Sequence, residues 1–148
     1  MNYLFNFILL GMLGAPEIIL ISIFSGLVGL IPFIFYLLTL QNTFYAISPE
    51  NRKMAPGQVW LSIIPFFGLV WQFIIVNRMA DSLKPELDAR NIKTNEERPG
   101  YSIGLAYCIL FCCSIIPFLG FLTSIGGLVC WIMYWVKIND FKLQLKNQ

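Results

Sequence analysis

Residues 99–136 read PGYSIGLAYCILFCCSIIPFLGFLTSIGGLVCWIMYWV, thirty-eight consecutive positions without one charged side chain. As a continuous helix this run would extend about 57 Å at 1.5 Å per residue. The hydrocarbon core of a bilayer is about 30 Å thick, and one crossing takes about 20 residues. The run is long enough to cross twice. Two further uncharged runs, Ile18 to Pro49 and Met54 to Asn77, lie upstream. Their combined length predicts an integral membrane protein in which lipid is the main solvent.

Composition agrees. The chain has 148 residues, 57% hydrophobic and 12% charged, against about 25% charged in a typical soluble domain. A net charge of +2 with no basic block gives no reason to expect nucleic acid as a partner. The chain has no histidine, which excludes His-based triads and His-ligated metals. Its four cysteines, Cys108, Cys112, Cys113 and Cys130, all fall inside the apolar run and form no CxxC pair. They read as small polarizable packing residues rather than metal ligands or disulfides. No cofactor is expected.

Working outward, the pattern predicts an all-α fold, a four-helix transmembrane bundle forming one membrane domain over residues 1–148. The expected spans are residues 18–40, 58–76, 101–117 and 121–136, with short surface helices in the loops. Residues 3–13 read as a leading helical turn or an interfacial segment rather than a cleavable signal. Pro16 suits a first helical turn, and Gln41-Asn42 mark the exit of the first span. Ser48-Pro49-Glu50 has the order of an N-cap, a first-turn proline and an early acid, predicting a short helix through Met54. Pro65 should kink the second span or mark a re-entrant turn. That span should continue into water as far as Lys84, with Pro85 opening another short helix. Pro117 to Gly120 is the expected hairpin between spans three and four. Counting bases at the span ends sets Arg52 and Lys53 on one side. Five bases of the 77–100 loop and three of the tail fall on the other. This bias places both termini in the cytoplasm.

A seven-residue stretch occurs twice. Ser62-Ile-Ile-Pro-Phe-Phe-Gly68 returns as Ser114-Ile-Ile-Pro-Phe-Leu-Gly120, with six of seven positions identical. If the copies are related, both run in the same direction, unlike the inverted repeats of many transporters.

No ionisable residue lies inside an expected span, which argues against proton or ion coupling. Gln72 is the notable polar group at depth, since an amide in hydrocarbon seeks a partner on another helix. Gly100, Gly104, Cys108 and Cys112 step by four, as do Ser22/Gly26 and Ser25/Gly29, giving ridges on which helices approach closely. The candidate packing or gating residues are therefore Gln72, Pro65, Pro117, Gly104, Cys108 and Cys112. No catalytic constellation is present, and the chain is expected not to be an enzyme.

The stretch LQNTFYAISPENRKMAPGQVWLSIIPFFGLVWQFIIVNRMADSL at 40–83, with GLAYCILFCCSIIPFLG and CWIMYWVKIND later, resembles a group of small multi-span bacterial inner-membrane proteins of unknown function. The resemblance covers about residues 30–143. It implies a bacterial inner-membrane location and brings no activity, ligand or site residue. The expectation is a non-enzymatic accessory, scaffold or regulatory subunit with a homo-oligomeric or membrane-protein partner. The alternative is a small channel or carrier for a neutral or apolar solute, gated at Gln72 and the two proline turns. A lipid-active membrane enzyme is the weakest option.

Overall fold

The structure is a computed structural model that describes residues 14–64, 66–114, 116 and 120–147. Among the described residues it is all-helical, with five helices and no strand. They are α1 (Ala15–Ala46), a 3-10 helix (Pro56–Ile63), α2 (Phe67–Ala89), α3 (Tyr101–Cys113) and α4 (Gly120–Lys146). The expected segment 3–13, Pro65 and Pro117 lie outside the described residues.

Two compact units divide the chain, Met1–Phe35 and Tyr36–Gln148. In the first, residues from Ala15 form the first part of α1 with apolar side chains turned outward, Leu20 and Phe24 among the most exposed. A Cβ placed on Gly26 or Gly29 would meet nothing within 4 Å. The second unit is a helical bundle. Its core contains Tyr36, Leu37, Leu40 and Phe44 of α1, Ile75, Met79, Leu83 and Leu87 of α2, Tyr107 of α3, and Tyr134 and Ile138 of α4.

Four membrane spans are not supported by these helices. Among the described residues one helix, Pro16–Ala46, is long and apolar enough to cross a bilayer, and α3 is apolar but only 13 residues long. The expected second span, 58–76, is not one helix. It is a 3-10 helix that ends at Ile63 and a separate α2 that starts at Phe67. Gly68 explains the break, because a Cβ there would lie 2.2 Å from the Ser62 carbonyl oxygen. The glycine lets the chain fold back on itself, and the Gly68 N–H donates to the Ile64 carbonyl at 2.7 Å. The second copy behaves alike: a Cβ on Gly120 would lie 2.8 Å from the Ser114 carbonyl oxygen. Both SIIPF(F/L)G stretches thus join two helical segments, with the glycine against the carbonyl six residues earlier.

Three other boundaries differ from expectation. α1 continues through Gln41 and Asn42 to Ala46, because Gln41 Oε1 is satisfied by Trp60 Nε1 at 2.5 Å and Phe44 is buried beyond it. The segment at Ser48 is a tight turn rather than a helix, with Asn51 and Arg52 N–H groups donating to the Ser48 carbonyl. Its hydroxyl donates to Glu86. Pro85 does not open a new helix; α2 runs through it to Ala89. The ring removes one backbone donor, but Ser82, Leu83, Glu86 and Leu87 are buried on both sides of it. α2 stops where Asn91 takes a φ of 57°, with Ile92 N–H on the Leu87 carbonyl and Asn91 N–H on that of Asp88. This paired closure is the Schellman ending, for which Asn is the usual alternative to Gly.

Candidate functional site

Two polar clusters stand out in the unit Tyr36–Gln148, one at its charged end and one deep among apolar helices. At the charged end, Glu86 of α2 is 1% exposed. Its carboxylate accepts from Ser48 Oγ (2.9 Å), Asn51 Nδ2 (2.8 Å) and Arg90 Nε (2.8 Å). Arg90 sits one turn further along α2, the favourable acid-then-base order. Its other guanidinium nitrogens donate to the Leu145 carbonyl at 2.6 Å and the Ala46 carbonyl at 3.1 Å. One side chain thereby satisfies the otherwise orphaned carbonyls that end α1 and α4. Lys53 N–H adds a bond to Ser82 Oγ at 2.9 Å. Burial, the largest influence on the Glu86 carboxyl, pushes its pKa up; the bonds from Asn51, Arg90 and Ser48 together outweigh it and hold it below the ordinary value.

This cluster corrects the expected arrangement of loops. A span over 58–76 would put Arg52 and Lys53 across a bilayer from the 77–100 loop. Hydrogen bonds of 2.8–2.9 Å from Ser48 and Asn51 to Glu86 leave no room for about 30 Å of hydrocarbon between them. The 46–53 turn, the α2 end and the α4 end share one end of the unit.

The 91–100 loop is tied to the same end. Glu96 pairs with Lys137 of α4 and accepts the Gly100 N–H at 2.7 Å. Burial raises the Glu96 pKa, but the Lys137 and Gly100 bonds leave it lowered overall. Arg98 bonds Asp81 at 2.7 Å and Asn77, and its guanidinium lies 3.9 Å from the Tyr101 ring centroid. Asp81 beside it raises the Arg98 pKa further. An open hollow of about 340 Å³ lies over Glu96, Glu97, Arg98, Tyr101 and Ser102.

The deep cluster is uncharged. Each of the four α-helices contributes one residue: Tyr36, Gln72, Tyr107 and Tyr134. The Tyr36 and Tyr107 hydroxyls are 2.9 Å apart, and Tyr107 donates to Gln72 Oε1 at 2.8 Å. Tyr36 Oη lies 3.3 Å from the same oxygen. Tyr134 packs its ring 5.4 Å from that of Tyr107, and its buried hydroxyl has no hydrogen-bond partner among the described residues. Trp131 and Trp135 flank Tyr36, and Trp135 Nε1 donates to Thr39 Oγ1 at 2.9 Å.

The chain matches no protein family, curated protein or solved structure. Function has to be read from this geometry.

Gln72 is held by two tyrosines and joins three helices. Gly104 lies where a Cβ would come within 2.5 Å of Val76 Cγ1 and 2.9 Å of Tyr134 Cε2, so α3 meets α2 and α4 there at backbone range. Cys108 is buried next to Tyr107, and Cys112 is half-buried one turn further on. Both are free thiols. Sequence reasoning did not single out Tyr36 or Tyr107, which resemble any other membrane aromatic in one dimension, and it read Tyr134 with Trp135 and Lys137 as a boundary cluster at the end of a span, whereas Tyr134 is buried. It also treated Glu86 and Arg90 as surface charges. Their i,i+4 spacing was the available signal. Chemically, the deep cluster has phenols, a thiol and an amide but no base to activate them, so it suits holding helices together.

Proposed function

We propose that the protein is a non-enzymatic integral membrane subunit that works through packing, as an accessory, scaffold or regulatory component of an assembly. The observation that carries this reading is the division of polar and apolar surface. At depth, the Tyr36 and Tyr107 hydroxyls, Gln72 Oε1 and Trp135 Nε1 bond one another or Thr39, while the outward surface is aliphatic and aromatic. Ile19, Leu20, Phe24, Leu27, Ile31 and Phe35 are each about half exposed or more. Such a surface offers packing to lipid and to other helices, and no reacting group.

The helix Pro16–Ala46 is the membrane-crossing element. All ten Lys and Arg lie between residues 52 and 146, and the clustered charged end belongs on the cytoplasmic face by the positive-inside bias. The resemblance noted above supports a bacterial inner-membrane location. Gly26 and Gly29, where a Cβ would meet nothing within 4 Å, are the closest-approach points for a second copy or another membrane protein.

The test is the mass of the protein–detergent complex after purification in mild detergent, by light scattering. The expected result is a defined multiple of 16.9 kDa, or a fixed ratio to one identified membrane protein, shifted toward the single chain by Gly29→Leu. A strict monomer with no stoichiometric companion overturns the reading.

A further inference from the structure

The two turn-forming repeats are tips, and their reach is limited. Both segments flanking each tip start from the charged end of the unit. The 3-10 helix leaves the 46–55 turn and α2 returns to Glu86; α3 leaves Gly100 and α4 returns to Leu145. From Phe67 to Asn77 α2 has 11 residues before Arg78, a depth of about 17 Å. The 13 residues of α3 amount to about 20 Å, and the 17 uncharged residues of α4 from Gly120 to Val136 to about 26 Å. A bilayer core is about 30 Å thick. The first hairpin passes only slightly beyond the midplane and the second ends short of the far interface.

The tips are clothed for hydrocarbon rather than water. Phe66 is 88% exposed and Leu122 is 75% exposed. Ile63, Ile64, Val70, Ile116 and Ile125 are about half exposed or more. Backbone at such depth has to be satisfied internally. Among the described tip residues, Gly68 N–H bonds the Ile64 carbonyl, Ile116 N–H that of Cys113, and Ser114 Oγ that of Phe111. A bulky residue at positive φ, Phe66 at 61°, sits at the first tip with its ring outward.

We propose that the unit Tyr36–Gln148 is a one-sided membrane wedge, whose two hairpins enter the leaflet next to the charged end, occupy its acyl chains and turn back before the opposite interface. Near the charged face the unit presents five helical segments: the end of α1, the 3-10 helix, α2, α3 and α4. At the opposite interface neither hairpin is present. With helices about 10 Å across, the unit takes up roughly 400 Å² more at the near interface than at the far one. A body wider in one leaflet is relieved where that leaflet is stretched. The protein therefore concentrates on membrane that is convex on the charged side, and at high density bends flat membrane that way. This function rests on the membrane reading above and adds to it.

The experiment uses the full chain, fluorescently tagged, reconstituted into giant phosphatidylcholine–phosphatidylglycerol vesicles from which thin tubes are drawn. A membrane-impermeant quencher separates copies with the charged end outward from those with it inward. Expected are severalfold enrichment of the outward copies on tubes and depletion of the inward ones. In parallel, a nitroxide on Phe66→Cys, with the four native cysteines replaced by serine or alanine, should be reached by oxygen and shielded from impermeant reagents on both faces. Equal density on tube and vesicle overturns the wedge, as does a Phe66→Cys label accessible from the face opposite Lys93. In either case membrane insertion still stands. Release of the protein by alkaline wash without detergent would instead defeat the membrane reading itself.

Discussion

The Glu86–Arg90 cluster is where a single substitution should separate this structure from a loose set of spans. In Glu86→Ala, three hydrogen bonds to a buried carboxylate vanish, from Ser48, Asn51 and Arg90. Breaking a buried pair costs about 3–5 kcal/mol. Arg90 keeps its bonds to the Ala46 and Leu145 carbonyls, so the lower end, about 3 kcal/mol, applies. For a unit of this size 1 kcal/mol moves Tm by about 4 °C, which places the fall on the order of 10 °C. The control is Lys84→Ala, which breaks an exposed pair with Asp88, 37% and 57% exposed, and should cost under about 0.5 kcal/mol. Thermal unfolding in detergent, followed by tryptophan fluorescence, measures both. The cluster also sets a pH response. A carboxyl held below its unfolded pKa adds stability that is whole above the unfolded value. That stability is lost as pH falls through the folded one. Glu86 and Glu96 are both of this kind, so Tm should decline on acidification below about pH 4.5. In Arg90→Ala one of the bonds that lower the Glu86 pKa is lost, so that pKa rises and the acid-dependent decline should be shallower although the protein is less stable at neutral pH. Equal Tm losses for Glu86→Ala and Lys84→Ala would refute the reasoning.

Close helix approach predicts that Gly104→Val, whose Cβ would overlap Val76 and the Tyr134 ring, costs about 1–3 kcal/mol by overpacking, read as a lower Tm, whereas Gly57→Ala, facing open space, changes little. Gly68→Ala forces a Cβ onto the Ser62 carbonyl and should lower Tm more than Gly120→Ala, where the approach is 2.8 Å rather than 2.2 Å. Tyr107→Phe removes the shorter of the two bonds to Gln72 and should cost about 1 kcal/mol, with a smaller further loss when Gln72→Leu is added, because Tyr36 Oη also lies 3.3 Å from the Gln72 oxygen.

Much of the helix content was legible from charge-free runs and turn residues. The hairpin at Gly120, the interruption near Pro65 and the extension of α4 into the tail follow from local chemistry. The number of crossings did not. Hydropathy treats 58–76 as one apolar block, because it cannot see that the Ser62 carbonyl occupies the space a Cβ at residue 68 would need. The positions of the loops were equally hidden. Ser48 and Asn51 lie 38 and 35 residues from Glu86, and no local rule links a turn serine to a distant helix carboxylate. Pro85 was misread for a related reason: propensity stops a helix at proline, whereas burial of Leu83, Glu86 and Leu87 holds it. At the deep cluster Gln72 was visible as a polar residue out of place, but its tyrosine partners were not.

The most direct test is the sidedness of the two polar loops. Single cysteines at Arg52 and Lys93, in a chain whose native cysteines are replaced, are labelled with an impermeant maleimide in right-side-out and inside-out membrane vesicles. The account predicts that both positions react in the same vesicle orientation and are silent in the other. Labelling of Arg52→Cys in one orientation and Lys93→Cys in the opposite one would contradict it.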